Sequence, residues 1–365
     1  RPPRTTHCIS SAASDVYKRQ GVNASASGVN SIATGIDANA TGVKSMALGY
    51  ASLASGVSST ATGETAWAIG NRSSAYGVNS NASGESSSAI GDGAIAEGNY
   101  SIAMGYESEA SGKSSIAIGA NSAAFEENSI AIGTDSEASG ESSTAMGYEA
   151  RALGESSTAL GDHAVAEGNY SNAMGANSVA SGESSTAMGY EARALGYSST
   201  ATGVDSYASG ISSTATGSNS EASGDDSTAT GAGSYASGTN ATATGANSIA
   251  GADNATAYGA GATAYGNDVA VGFNALVHQD ASVALGANTD VNSTNSVAVG
   301  ANASVGSSSD GAIALGQNAS VVDNAAGAIA LGNSASATHI NSVALGANSV
   351  TTADNTISVG AVGSE

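Results

Sequence analysis

The sequence has very little proline, cysteine and aromatic character, and it has few basic residues. Among 365 residues there are two Pro, one Cys and nine Lys or Arg, and aromatic residues make up 4%. With a formal net charge of −22, the chain is poorly suited to bind nucleic acid or anionic lipid, because both require clusters of Lys and Arg. The scarcity of proline excludes collagen. The absence of long apolar runs predicts that no segment inserts in a membrane as a helix.

The first 20 residues differ in composition from the rest of the chain. They contain both prolines, the single Cys and four of the nine basic residues. Within them, Ser10–Gln20 resembles the translation of a transposase adapter used in sequencing libraries. We therefore interpret residues 1–20 as an artefactual, disordered leader and exclude them from the fold prediction. The native start of the protein, with any signal peptide, is then expected to lie outside this sequence.

Glycine, in contrast, is abundant and recurs at every seventh position. From Gly21 to Gly245 the only break in this series is Glu126. The segment Asn99–Gly112 shows the full 14-residue unit, in which Ala103 and Ala110 each precede a glycine by two positions. Alternation with a period of two indicates short strands, and we expect the glycines to supply turn conformations with positive φ. A strict short period is typical of a solenoid.

The sequence therefore predicts an all-β solenoid of 14-residue coils, each with a first strand, a turn, a second strand and a second turn. Residues 21–350 carry these repeats, and residues 351–365 differ enough to be set apart. From Val269 onward the first strands recur at spacings of 14 and 16 residues. Such spacings predict two-residue insertions in the turns, because any other position would move side chains to the wrong face.

The alternation also assigns faces to the first strand. Its middle position is Ala in nearly every coil, so we expect this face to line the inside of a narrow roll of Ala and Gly. Such an interior buries too little apolar area to offset the entropy of ordering the chain, which predicts an obligate oligomer. The predicted subunit interface consists of the flanking residues Ile102, Met104, Ile116, Ile118, Ile130, Ile132, Val283, Leu285, Val297, Val299, Ile313, Leu315, Ile329, Leu331, Val343 and Leu345.

The second strands and the turns carry mainly polar and charged residues, so we expect this surface to be solvated. Exposed Tyr beside Arg suits protein recognition, although Tyr also serves as a simple turn residue. The candidate ligand surface consists of Tyr106, Tyr148, Arg151, Tyr190, Arg193, Tyr207 and Tyr235.

The motif Asn-Ser-Val-Ala-x-Gly occurs at Asn295–Gly300 and again at Asn341–Gly346. It resembles the head repeat of the trimeric autotransporter adhesins, the YadA-like family, and the resemblance covers residues 21–365. It implies a left-handed parallel β-roll that forms a homotrimer with the Val and Ile flanks between subunits. It also implies a virulence-associated role in cell adhesion at the bacterial cell surface, with anchoring in the outer membrane. Residues 351–365 resemble the start of the family's neck.

We expect a non-enzymatic adhesin head that binds a host matrix protein, a host glycan or other cells through its lateral surface. A purely structural spacer that displays another domain is the first alternative. The Thr-x-Thr ladder that includes Thr200, Thr214, Thr228 and Thr242 resembles ice-binding solenoids and gives a second alternative, although these Thr also suit a subunit interface.

The chemistry-bearing residues do not form a recognisable catalytic, cofactor or metal motif. His163, His278 and His339 are far apart in the sequence. Glu141 and Glu155 occupy equivalent turn positions one coil apart, which we interpret as a solvated acidic edge rather than a cation site. We therefore expect no cofactor, no metal and no catalytic residue.

Overall fold

A computed structural model describes residues 18–360 of the protein. These residues form short strands and turns, and no helix occurs among them. The chain divides into two compact units, Arg1–Ser156 and Ser157–Glu365. In the described part of each unit, strands one coil apart pair in parallel, so the predicted all-β parallel solenoid is confirmed.

The first unit alternates three-residue first strands with two-residue second strands. Its first strands are Lys18–Gln20, Ile32–Thr34, Met46–Leu48, Thr60–Thr62, Ser74–Tyr76, Ser88–Ile90, Ile102–Met104, Ile116–Ile118, Ile130–Ile132 and Thr144–Met146. Its second strands are Ser25–Ala26, Asn39–Ala40, Leu53–Ala54, Trp67–Ala68, Asn81–Ala82, Ile95–Ala96, Glu109–Ala110, Ala123–Ala124, Glu137–Ala138 and Arg151–Ala152. The strand Lys18–Gln20 belongs to the segment interpreted as a leader and pairs with Ile32–Thr34. The rest of that segment lies outside the described residues.

The second unit repeats the same alternation. Its first strands are Thr158–Leu160, Asn172–Met174, Thr186–Met188, Thr200–Thr202, Thr214–Thr216, Thr228–Thr230, Thr242–Thr244, Thr256–Tyr258, Val269–Val271, Val283–Leu285, Val297–Val299, Ile313–Leu315, Ile329–Leu331, Val343–Leu345 and Ile357–Val359. Its second strands are Val165–Ala166, Val179–Ala180, Arg193–Ala194, Tyr207–Ala208, Glu221–Ala222, Tyr235–Ala236, Ile249–Ala250, Thr263–Ala264, Leu276–Val277, Asp290–Val291, Ser304–Val305, Ser320–Val321 and Ser336–Ala337.

Changes in coil length fall in the turns of the second unit, as predicted. Val297 pairs with Ile313, and Ile313 pairs with Ile329, so two longer coils keep every side chain on its own face. The sequence analysis overlooked one shorter coil, in which Thr256 pairs with Val269. The segment expected to begin the neck contributes one more first strand, because Ile357–Val359 pairs with Val343–Leu345. Its last residues, 361–365, lie outside the described part.

The glycines have two different functions in the turns, and only one of them was predicted. Gly35, after a first strand, has a φ of 137°, as expected. Gly42, after a second strand, does not have a positive φ, and the left-handed conformation falls instead on Lys44, with a φ of 59°. Gly42 is required for space, because a Cβ there would lie 2.0 Å from the carbonyl oxygen of Gly56 in the next coil. The prediction of positive φ is therefore wrong for this turn.

The interior of each coil is filled by small residues. Ala103 in a first strand and Ala110 in a second strand are 0% exposed, which confirms that the alanines face inward. The interior is not limited to Ala and Gly, however. Ser at the residue before each strand is also buried, as at Ser101 and Ser108, and the second-strand position holds Val277, Val291, Val305 and Val321 in later coils. The expected composition of the core was therefore too narrow.

Candidate functional site

The predicted interface residues lie on the outward side of the first strands. In the first unit the strand register aligns Ile102 with Ile116 and Met104 with Ile118. In the second unit it aligns Val283 with Val297 and Leu285 with Val299. We call these outward flanks the apolar stripe of each unit; its members are the sixteen interface residues predicted above.

The apolar stripe is only partly covered by the chain itself. Met104 is 41% exposed and Leu285 is 45% exposed, whereas the Ala between each pair of flanks is fully buried. Apolar columns of this kind are unusual on a solvated monomer surface and mark sites of association. In the second unit, Thr200, Thr214 and Thr228 occupy the same outward column in register.

In the first unit, the candidate ligand residues lie on separate coils. Tyr106 is 54% exposed in the turn after a first strand, and its hydrogen bond with Glu107 raises the pKa of its phenol, with the Glu107 charge adding to this shift. Tyr148, 47% exposed, occupies the same kind of turn further along the chain. Arg151 lies on a second strand, and its Nε is 3.2 Å from Glu137 Oε2. The structure does not bring Tyr106 and Tyr148 together.

In the second unit, Arg193 and Tyr207 are brought together. They are direct register partners on adjacent second strands, and Glu221 separates Tyr207 from Tyr235. A shallow pocket of about 310 Å³ is lined by Glu191, Arg193, Asp205, Ser206 and Tyr207.

Two neighbouring carboxyl groups determine the electrostatics of this pocket. Desolvation, followed by a hydrogen bond with Glu191 and the charge of Glu191, raises the pKa of Asp205, while Arg193 lowers it. A hydrogen bond with Glu191 also raises the pKa of Tyr190. The pocket is therefore polar and carries both signs of charge.

The acidic and histidine residues do not assemble into a larger site. In residues 18–360, no three or more His, Cys, Asp or Glu side chains come together as a potential metal-ligand group. His163 Nδ1 lies 2.8 Å from Asp162 Oδ1. Arg72 pairs with Glu85, and Lys113 Nζ lies 2.8 Å from Glu127 Oε1, so parts of the acidic edge are paired with bases.

Sequence reasoning overlooked the only Trp, which lies on the surface. Trp67 is 47% exposed on a second strand of the first unit, in register between Leu53 and Asn81. Its position in a second strand was readable from the repeat, because the residue before the second-strand Ala points outward in each coil.

A buried carboxylate was also overlooked. Asp268 takes the place of the buried Ser before a first strand, in the shorter coil, and is 0% exposed. Its Oδ1 accepts a hydrogen bond of 2.9 Å from the Ser282 amide. Burial raises the pKa of Asp268 to about 6, and the charge of Asp280 adds to the shift. The loss of one residue between Thr256 and Val269 was the available signal.

A third feature missed at the sequence level is a polar pocket near the irregular turns of the second unit. It is lined by His278, Gln279, Asn292, Ser307 and Asp323 and has a volume of about 460 Å³. The glycine of the regular repeat is replaced at Gln279, which was readable from the sequence.

Among residues 18–360 there is no helix with the length and apolarity needed to cross a membrane.

Comparison with protein families gives one match that recurs along the chain. The model of the YadA head domain repeat (2 copies) matches residues 20–38, 26–52, 40–64, 54–80, 82–108, 110–136, 138–164, 166–192, 208–234, 236–262, 266–289, 279–303, 292–319, 324–349 and 340–361. These matches cover most of the described residues. Comparison with curated proteins finds no match to this chain.

Proposed function

This chain belongs to the YadA head domain family, and on that premise we propose that it is the head of a homotrimeric adhesin that binds a host matrix protein or glycan. The family is one of surface-exposed autotransporter adhesins, and both the family and the β-solenoid fold are typically non-enzymatic. The proposed binding surface is formed by the second strands and the turns.

The observation that carries the homotrimer proposal is the half-covered apolar stripe on coils whose own interior is made of small residues. Ile116 and Ile130 are aligned in register on the outward side, while Ala117 and Ala131 between the flanks are fully buried. The interior alone leaves the larger apolar side chains in contact with water. Association through the first strands would bury them, which is the main favourable term in subunit assembly.

The second-strand surface supports a role in recognition. Tyr235 is 37% exposed and Tyr207 is half-buried, and both lie beside charged second-strand neighbours. Tyr and Arg are enriched in protein interfaces because each combines apolar area with hydrogen-bonding groups. A surface of this kind is compatible with matrix proteins and with glycans.

Adhesion is tested by immobilising collagen, fibronectin and whole host cells and measuring binding of the purified chain. We expect saturable binding to at least one surface, reduced in the double variant Arg193→Ala, Tyr207→Ala. Arg151→Ala is the matched control, because residues 138–154 and 180–196 are identical in sequence. Arg151 pairs with Glu137 in register, whereas Arg193 pairs with Tyr207.

A structural spacer is the alternative that the scattered placement of the candidate residues favours, since Tyr106 and Tyr148 lie on separate coils. A spacer would bind none of the three surfaces. The Thr ladder supports a further alternative, because Thr200, Thr214 and Thr228 face outward in register. If the trimer leaves this ladder exposed, the purified chain should inhibit ice growth; burial of the ladder between subunits predicts no inhibition.

A further inference from the structure

The turns after the second strands depart from the regular repeat between Tyr265 and Asp323, in the second unit. Gln279 and Ser293 stand where the regular coils have glycine, and the two longer coils follow at once. The pocket of about 460 Å³ lies at this irregularity. It is thus built by a local change in the coil, and the regular turns elsewhere lack these side chains.

One side of the pocket is formed by an aromatic pair. The ring of Tyr265 lies directly over Gly251, where an added Cβ would be 2.7 Å from the ring Cδ1. His278, one coil further, stacks with Tyr265 at a ring-centroid distance of 6.3 Å and an interplanar angle of 14°. The rings are therefore nearly parallel, and Gly251 permits the close approach of the Tyr265 ring to the backbone.

The opposite side is formed by a carboxylate held in a fixed position. Asp323 Oδ1 accepts hydrogen bonds from the Ser307 amide, at 2.8 Å, and from Ser307 Oγ, at 3.1 Å. Gly306 allows this approach, because a Cβ there would lie 2.4 Å from Asp323 Oδ1. Between the two sides, Asn292 Nδ2 donates to Asp290 Oδ1 at 3.0 Å, which orients the Asn292 amide.

From this arrangement we infer that the pocket is a carbohydrate-binding subsite, an inference that rests on the adhesin function proposed above. Sugar hydroxyl groups both donate and accept hydrogen bonds, and the amides of Gln279 and Asn292 with the Asp323 carboxylate offer both roles. The His278 ring offers a flat face for the C–H side of a sugar ring.

The same residues argue against other ligand classes. Asp323 in the lining and Asp290 bonded to Asn292 disfavour a phosphate or sulfate group, and no Lys or Arg lines the pocket. An apolar ligand is disfavoured because the lining side chains of the pocket are polar. A neutral sugar matches the pocket best.

The experiment is saturation-transfer-difference NMR on the full chain with lactose, N-acetyllactosamine and chitobiose, and with a sulfated heparin disaccharide as the acidic probe. We expect saturation transfer to at least one neutral sugar and none to the heparin disaccharide. Affinity for the bound sugar, from titration, should fall at least about tenfold in His278→Ala and in the double variant Gln279→Ala, Asn292→Ala. Gly306→Ala, which displaces Asp323, should have a similar effect.

Tyr197→Ala is the matched control, because it removes an aromatic ring that is 54% exposed in a turn of the same unit, outside the pocket. Its affinity should equal that of the wild type. Thermal unfolding of each variant identifies any that fail to fold, and the exposed Gln279 provides a variant that leaves the coil backbone unaltered.

The inference is overturned if no neutral sugar shows saturation transfer, or if the pocket variants bind as tightly as the wild type. These outcomes are distinct from failure of the proposed function. Adhesion to a matrix surface that persists without sugar binding would refute only the subsite. Absence of binding to every matrix and cell surface, with sugar binding retained at the pocket, would refute adhesion alone.

Discussion

Replacement of Ile118 by Asp tests the proposed subunit interface most directly. Ile118 lies in the apolar stripe of the first unit, in register between Met104 and Ile132, and is half-buried in the single chain. If the stripe is covered by neighbouring subunits, the substitution places three carboxylates at one level of the trimer. We expect Ile118→Asp to abolish assembly, and the folded state with it.

The magnitude follows from the remaining exposure of the side chain. Full burial of Ile contributes roughly 1.5–3 kcal/mol, so the uncovered half contributes about 1 kcal/mol per subunit and about 3 kcal/mol per trimer. Each buried, unpaired carboxylate costs several kcal/mol more. The sum for three subunits exceeds about 10 kcal/mol, which is comparable with the net stability of a typical domain, about 5–15 kcal/mol.

Sedimentation velocity with circular dichroism measures both assembly and folding. Ile95→Asp is the matched control, because Ile95 is also a half-buried Ile of the first unit but lies on a second strand, in register between Asn81 and Glu109. It should remain folded and trimeric. A folded wild-type monomer at micromolar concentration, or an Ile118→Asp variant that assembles normally, would refute the reasoning.

Three further predictions concern stability. Amide hydrogen exchange should be faster across residues 201–245 than across 284–346, because Thr flanks the first strands in the former and Val, Ile or Leu in the latter, where Val also fills part of the interior; equal rates would contradict this. The raised pKa of Asp268, about 6, means that its stabilising contribution is complete below its ordinary value of 3.8 and is lost as the pH rises through 6, so Asp268→Asn should raise the melting temperature at pH 8, corresponding to about 1–3 kcal/mol, and have little effect at pH 4. Gly35→Ala should destabilise the fold more than Gly42→Ala, by about 1–3 kcal/mol per chain in thermal unfolding, because both meet a carbonyl oxygen of the next coil but only Gly35 has a positive φ; equal losses would show that steric contact alone matters.

Much of the fold was predictable because the solenoid is a local structure repeated. The two-residue alternation around Ala103 and Ala110 determines which side chains face inward, and the 14-residue period determines which strands become neighbours. Both properties are visible in a single unit of sequence. The insertions before Ile313 and Ile329 were also readable as turn changes, because the strands on either side keep their alternation.

The turns were predicted less well, because a glycine in sequence does not reveal why it is required. Gly35 and Gly42 look equivalent in the repeat, yet one has a positive φ and the other is needed for contact with the next coil. Glu126 shows that a side chain is accommodated at one position of the second kind, where it is exposed. Only the distance between stacked coils distinguishes the two cases.

The sequence by itself determined the strand positions, the inward and outward faces and the parallel stacking, since each depends on period and side-chain size. It did not identify the pocket around His278 and Asp323, or the burial of Asp268. These features depend on three-dimensional proximity between irregular turns of successive coils, where the seven-residue rule no longer applies. The tertiary structure decided them, because coil stacking brings Gly306 against Asp323, and Asp268 beside Ser282, across 14- and 16-residue separations.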